Sequence, residues 1–510
     1  MRVAVIGAGA AGMTAAYQLS KGGAEVDVYE ASDEVGGLAR TIERWSQKVD
    51  LGPHRFFSND PRVNRLWLEV VGRDYRMIDR LTRIYYRRRF FDYPLRASNA
   101  LWNMGLYAAA RCLGSYFKEK IRPSYRPEDN ETFESWVVSR FGRRLFQMFF
   151  QSYSEKLWGI PCDKLDADFA AQRIKKFSLG EAVKNALGLG KGRHKTLVDQ
   201  FAYPLGGTGV VYERMADQVR KNGGRIHLNC PVRRVLHNDC RVHGLEFTEG
   251  TWEPFDHVIS TMPLTLMVKG MDGLPPHIES AIDQLRFRNT LLVYLHVDGA
   301  DLFPDQWLYI HAPDLLMGRV TNFRNWVPEL YGTAQTTILA LEYWANDDDA
   351  LWRENDAGLI ARAEREIRST GLIGNAAVLD GDVFRIRRCY PVYARGYREL
   401  LRPVIAYLDS FAGLTVIGRY GAFKYNNQDH SILMGILAAE NIRESCQHDL
   451  WAINTDYDSY QESATITATG LVHASKPAPV PLASPRRAGS VSDGPTVVAD
   501  ASGSLSRARK

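Results

Sequence analysis

Cysteine is scarce in this chain: six among 510 residues, at positions 112, 162, 230, 240, 389 and 446, with no CxxC pair and no metal-ligand spacing. That pattern excludes a disulfide framework and a cysteine-ligated zinc centre, and reads as free thiols in a reduced, cytoplasmic protein. An excess of one charge is also lacking. The 64 basic residues face 59 acidic ones, a formal charge of +5, too even for a nucleic-acid binder. No apolar run reaches the ~18–20 residues of a membrane span. The nearest, LWNMGLYAAARCLGSYF from Leu101 to Phe117, is interrupted by Asn103 and Arg111. It reads as a buried or groove-lining helix in preference to a monotopic anchor. The opening MRVAVIGAGAAG carries no charged n-region or apolar h-region, so no signal peptide is expected. There is no internal repeat, and no second dinucleotide fingerprint.

What the chain does have is length and apolar content. With 45% hydrophobic residues over 510 positions, it can fill two or three cores. RVAVIG, AGAAGMTAAYQLSKGG and EVDVYE read as strand, helix and strand, the start of an α/β parallel sheet. TRIYYRRRFFDYPL, Thr82 to Leu95, alternates as a hairpin with Arg87–Arg89 near its tip. Residues 100–185 look mainly helical, and a glycine-rich basic loop falls near 187–196. VVYERMADQVRKNGG reads as a helix, GRIHLNCPVRRVLH as two short strands, and FDHVISTMP as a return to the first sheet. TLLVYLHVDG, QWLYIHA and TTILALEYW read as an antiparallel substrate domain. The expected division is a Rossmann-type cofactor-binding part at 1–80, a hairpin and helical substrate-binding region at 81–200, and a second cofactor-binding part at 201–270. An antiparallel-sheet substrate domain follows at 271–405, a cofactor-binding part closing the site at 406–460, and a disordered Ser/Ala/Pro/Gly-rich tail at 463–510.

Gly7, Gly9 and Gly12 form G-x-G-x-x-G between strand and helix. The first allows the tight turn, the second lets a pyrophosphate approach the backbone, and the third lets helix and strand pack closely. Ala10 and Ala11 open the helix, whose N-terminal amides and partial positive charge suit phosphate. Glu30, at the end of the second strand, can accept from both ribose hydroxyls of an adenosine. Past it, EASDEVGGLART supplies Gly36, Gly37, Leu38 and Arg40.

This E-x5-GG continuation resembles the FAD-binding pattern of the amine oxidase and protoporphyrinogen oxidase superfamily. VRRVLH, with Val232 and Val235 on the adenine side, and VISTMP resemble its later FAD segments. GRYGAFKYNNQDHSILMGILAAENI resembles the segment whose helix N-terminus faces the flavin pyrimidine edge; it contains the cofactor-binding candidates Arg419 and Asp429, the latter also the expected N-cap. Four segments further resemble UDP-galactopyranose mutase: DLGPHRFFSNDPRVNRLW, SYSEKLWGIPCDKLDADFAAQRI, MGRVTNFRNWVPEL and GRYGAFKYNNQDHS.

That resemblance implies a redox-neutral exchange of pyranose and furanose forms of a UDP-hexose, with reduced flavin N5 as nucleophile at the anomeric carbon. It implies bound FAD, active when reduced, with NAD(P)H as a candidate reductant, and a nucleotide-sugar substrate. Arg173 and Arg319 match the arginines that grip the diphosphate. Tyr397 and Tyr425 match tyrosines that donate to the same phosphates, and Tyr153 and Trp158 match the nucleotide end. Gly52 and His54 of the GPH loop match residues lying against the flavin near N5, with His54 following its redox state and not acting as a general base. The sequence departs from the mutase pattern at Ser152, where the family has proline, and residues 185–200 do not align. Two other readings stay open. One is an FAD oxidase or desaturase with an apolar tunnel lined by the 101–117 helix; the other is a non-catalytic flavin-binding partner protein.

Overall fold

The structure is a computed structural model that describes residues 1–93, 95, 97–126, 131–169, 200–454, 466–467 and 470–471. Five strands form a parallel sheet in the order Leu414–Val416, His257–Ser260, Arg2–Ile6, Glu25–Tyr29 and Arg225–His227. Val3, Val5, Val26 and Val28 are buried in it, as expected for strands covered on both faces. The helix Ala10–Lys21 follows the first strand with Gly9 at its N-cap and no side-chain cap. A side chain at Gly12 would place Cβ 2.0 Å from Gly7 O, so only glycine lets this helix sit so close to its strand. The helix Gln428–Arg443 packs across it at Gly435, where a Cβ would fall 2.6 Å from Ala11 O. The chain's last long helix is thereby locked to its first.

A second, seven-stranded sheet runs Val378–Pro391, Phe287–Asp298, Thr336–Ala345, Arg319–Asn322, Trp307–Ile310, Thr82–Tyr86 and Arg89–Asp92. It is antiparallel except where Trp307–Ile310 lies parallel to Thr82–Tyr86. The predicted α/β fold with a parallel sheet and a separate, mainly antiparallel sheet is therefore present. The Thr82–Asp92 hairpin, turning at Arg87 and Arg88 with φ of 50° and 60°, extends this same sheet, so one sheet joins the expected 81–200 region to the expected 271–405 domain. The helices Ala97–Met104, Leu106–Ile121, Phe133–Phe141, Arg143–Phe146 and Ser152–Trp158 follow the hairpin. The three-stranded sheet Val232–Asn238, Arg241–Phe247 and Trp252–Pro254 lies beside the parallel sheet.

Two expectations are corrected. The 101–117 stretch is helical but not buried: Trp102, Leu106, Tyr107 and Phe117 are exposed, whereas Ala109 and Cys112 face inward. The closing helix is capped by Asn427, not Asp429. Asn427 is extended (φ −88°, ψ −177°) and forms a reciprocal capping box with His430, which leaves Asp429 inside the first turn. Arg173, the 187–196 loop and the 463–510 tail, apart from residues 466–467 and 470–471, lie outside the described residues.

Candidate active site

The loop leaving the strand Gln47–Asp50 is pinned at its root. The buried Asp50 carboxyl accepts from Thr41 Oγ1 and Tyr203 OH at 2.6 Å each and from Thr208 N at 3.2 Å. Tyr294 OH donates to Asp50 O at 2.9 Å. Burial outweighs these donors and lifts the Asp50 carboxyl to about 7. Two residues on, a Cβ at Gly52 would meet Glu342 Oε1 at 3.3 Å and His54 Cε1 at 3.8 Å, which sets the imidazole, the loop backbone and that carboxylate side by side. Gln428, first residue of the closing helix, donates to His54 O at 3.3 Å while its own amide oxygen accepts from Tyr212 OH at 2.8 Å. His54 Nδ1 is buried without a hydrogen-bond partner. Burial, then the charges of Arg319 and Arg419, hold the imidazole down to about 3. His54 is thus neutral at any working pH and has one ring nitrogen to offer.

Arg319 and Glu342 are directly paired across adjacent strands. Arg319 Nε donates to Oε1 at 2.6 Å and Nη2 donates to Oε2, a two-point fork between side chains only 15% and 2% exposed. Burial opposes the charge on Arg319, but Glu342 outweighs it and holds the guanidinium well above its ordinary range. Nη2 also reaches Tyr390 OH at 3.5 Å, and Nη1 has no partner among the described residues. The strand can hold an arginine there because Gly318 precedes it: a Cβ at Gly318 would lie 1.8 Å from a ring carbon of Trp344. Trp344 in turn meets Tyr153 edge-on at 5.7 Å and Tyr390 at 6.3 Å.

Arg419 is the second cation of the site. Its guanidinium lies to one side of a stacked ring pair, 4.6 Å from Tyr390 and 4.5 Å from Tyr425, whose centroids are 5.3 Å apart. Its donors reach Cys389 O at 2.9 Å and Asn426 O at 2.8 Å, and among the described residues no carboxylate pairs with it. Tyr153 stacks on His311 at 4.7 Å, an imidazole that burial and then Lys156 hold down to about 3. Lys156 Nζ donates to Ala312 O at 2.6 Å and to Ile310 O at 3.2 Å, and burial lowers its ammonium to about 8.

His54, Arg319, Arg419, Tyr153 and Tyr425 therefore converge; the sequence reading sets Arg319, Tyr153 and Tyr425 with the substrate, Arg419 with the cofactor and His54 beside the flavin. Tyr397 does not join them directly, whereas the Trp158 ring borders them, 5.8 Å from Tyr425 and 6.2 Å from Tyr390. The Tyr397 hydroxyl donates to Asp168 at 2.9 Å and its ring stacks behind Tyr393; Tyr390 is the tyrosine beside Arg319. Trp158 is 1% exposed and packs on Phe169 and Tyr393. Sequence reasoning missed Glu342, Tyr390, Trp344 and Gly318. The alternation in TTILALEYW offered one signal, an acid on the inward face of an otherwise apolar strand.

The dinucleotide end fits the cofactor. The first turn of Ala10–Lys21 is free of side-chain caps, and the Arg40 Nε is buried without a partner. Glu30 accepts from Ala8 N at 2.7 Å and from Ser32 N at 3.0 Å, holding the fingerprint turn against the strand end. Cys230 N donates to Glu30 O at 2.8 Å, binding the approach to Val232 to the same end. Gly37 and Leu38 lie in the short turn Gly37–Ala39, whose glycine approaches Gly9. The turn carrying Arg419 lies against Ala11 and Thr261, the nearest atoms to a Cβ built at Gly418.

The model of the flavin containing amine oxidoreductase family matches residues 10–443. A crystal structure of reduced UDP-galactopyranose mutase superposes with a TM-score of 0.80, covering 91% of this chain and 100% of that one at 22% identity. Coproporphyrinogen III oxidase of Mycobacterium tuberculosis is 26% identical over 82% of this chain and 92% of its own length. Zeta-carotene desaturase of Solanum lycopersicum is 25% identical over 46% of this chain, a match spanning 42% of that relative.

Proposed function

The chain belongs to the flavin containing amine oxidoreductase family, an FAD enzyme by that membership, and from this premise we propose that it is a redox-neutral nucleotide-sugar mutase acting on a UDP-hexose. The observation that carries the reading is the charge of the site. Arg319 and Arg419 stand against the single carboxylate Glu342 and are walled by Tyr153, Tyr390 and Tyr425. That surplus suits a leaving diphosphate and suits a polyene poorly.

Bound reduced FAD would supply the nucleophile at its N5. Gly7, Gly9, Gly12, the opening of the first helix, Glu30, Arg40 and Val232 would hold its dinucleotide portion. His54 remains neutral and offers a hydrogen bond at the loop beside the cofactor. Arg319 keeps Nη1 for a phosphate oxygen while Glu342 fixes its plane. Arg419 adds positive potential without moving, because its own donors are held by backbone carbonyls. Arg173 is proposed as a second diphosphate ligand on the strength of its motif. NAD(P)H is the proposed source of electrons for the resting flavin.

A second reading, FAD-dependent oxidation of a tetrapyrrole carboxylate, draws on the coproporphyrinogen III oxidase match and on the same two cations. One experiment separates them. Dithionite-reduced protein is incubated anaerobically with UDP-galactopyranose, the nucleotide sugars are resolved by chromatography, and the cofactor is extracted after a borohydride quench. The mutase gives the furanose and a sugar retained on the cofactor. Absence of both, with oxygen consumed when the oxidised protein is separately given coproporphyrinogen III in air, would overturn the reading.

A further inference from the structure

We propose that the face built by the helices Ala97–Met104 and Leu106–Ile121, together with the tip of the Thr82–Asp92 hairpin, docks on an anionic lipid surface.

The large apolar side chains left in solvent are not scattered. Among the described residues there are thirteen, and six of them (Leu101, Trp102, Leu106, Tyr107, Phe117 and Ile121) fall between residues 101 and 121. Trp102 is 86% exposed, Leu106 85% and Ile121 78%. On the second helix the exposed positions are 106, 107, 110, 111, 114, 117, 118, 120 and 121, which lie within one half of the helix circumference. Ala109 and Cys112 occupy the opposite, buried face. Isolated apolar side chains at a surface are ordinary, but a contiguous face of them is not.

Charge identifies the occupant. The exposed ionisable side chains from residue 101 to 122 are Arg111, Lys118, Lys120 and Arg122, all basic, and the hairpin tip adds Arg87, Arg88 and Arg89. The one acid in the stretch, Glu119, is buried and accepts from Ser124 N and Oγ. Arg111 lies 5.6 Å over the Tyr107 ring and Arg87 5.2 Å over Tyr86, so cations border the aromatic belt. Tryptophan, tyrosine and leucine ringed by lysine and arginine suit the headgroup boundary of an anionic leaflet. A second copy of this face would bring the same positive charges against themselves. The face is also pre-shaped: Asn103 Nδ2 donates to Phe90 O at 3.0 Å and Arg89 donates to Asn103 O, which ties helix to hairpin. No helix of the described residues is long and apolar enough to cross a membrane, so the contact is interfacial.

The test is co-sedimentation of the FAD-loaded full chain with vesicles of phosphatidylcholine alone or with roughly 30 mol% phosphatidylglycerol. The protein is expected to pellet with the anionic vesicles, to be released by about 0.5 M salt, and to ignore the neutral ones. Trp102→Ser with Leu106→Ser should abolish pelleting. Arg111→Glu with Lys118→Glu should weaken it at least ten-fold, and Arg111→Lys with Lys118→Arg should preserve it. Flavin content and circular dichroism check that each variant is folded. No pelleting with anionic vesicles, or equal pelleting with neutral ones, overturns the proposal. So does a concentration-dependent dimer of the parent protein that the Trp102→Ser, Leu106→Ser variant abolishes while vesicle binding persists.

Discussion

Glu342→Gln isolates the central pair of the site. In the parent protein Arg319 spends two donors on a carboxylate that is 2% exposed. Glutamine keeps one acceptor for Nε but turns an amino group toward Nη2, so one charge-assisted bond becomes neutral and the other becomes a donor facing a donor. Complete loss of a partner from a buried pair costs about 3–5 kcal/mol; retaining one bond should reduce this to roughly 2–4 kcal/mol. The assay is the thermal or denaturant midpoint of the FAD-loaded protein, with and without UDP or inorganic pyrophosphate. If Arg319 is there to meet a diphosphate, the anion replaces the missing carboxylate, and the ligand-induced rise in midpoint is larger in the variant than in the parent. At one hundred times Kd, one site gives about 2.7 kcal/mol in the parent; the variant should exceed it. Arg319→Gln alone should lose the ligand shift, and Arg319→Gln with Glu342→Gln should recover stability but not the shift. A variant as stable as the parent, or one whose pyrophosphate shift vanishes although Arg319 is intact, would refute the reasoning.

Three further outcomes follow from buried groups. His54 and His311 are held down to about 3 and His257, by burial, to about 4; all three stay neutral when folded but take a proton when unfolded below about 6.5. Stability they confer is therefore present above pH 6.5 and lost as pH falls, at up to about 4 kcal/mol per pH unit for the three together, to be read from denaturant midpoints between pH 7 and 4.5. Asp50 has the opposite sign: its folded value is raised to about 7, so stability drops as pH rises from about 4 to 7. Asp50→Asn should flatten that branch and leave the protein relatively more stable at pH 8 than at pH 5, and an unchanged pH profile would count against the buried carboxyl. Gly318→Ala should displace the Trp344 indole, costing about 1–3 kcal/mol and altering near-ultraviolet circular dichroism; a silent substitution would mean that the indole is not fixed there.

The cofactor half was legible because its chemistry is local. The turn needs Gly7, the helix needs Gly12, and the ribose end needs Glu30, all within one strand, helix and strand. The hairpin was legible for the same reason, since its register closes on itself through Tyr86 and Arg89. Where its outer edge pairs was not, because Thr82 meets Trp307 across 225 residues of chain and nothing in either segment names the other. The cap of the closing helix was misjudged by two residues. Asn427 and Asp429 are both competent caps, and only the extended backbone at Asn427 selects between them. The 101–117 helix shows a deeper limit: its periodicity indicates that one face is apolar and does not state whether protein, lipid or water lies against it.

The substrate half was half-legible, and the part lost is informative. Arg319 could be found because a guanidinium in an apolar strand is costly and must have a purpose. The residues that make that arginine usable are 23 and 71 positions away, at Glu342 and Tyr390. They come together only when Arg319–Asn322 pairs with Thr336–Ala345 and the long strand Val378–Pro391 closes the far side of the same sheet. Motif matching pointed to Tyr397, at the start of the next helix, and passed over Tyr390, which lies near the end of a strand that carries no recognisable pattern. A buried cation thus predicts that a counter-charge exists without locating it. In this fold the counter-charge is the direct cross-strand neighbour, so Glu342 orients Arg319 and leaves Nη1 for the proposed phosphate.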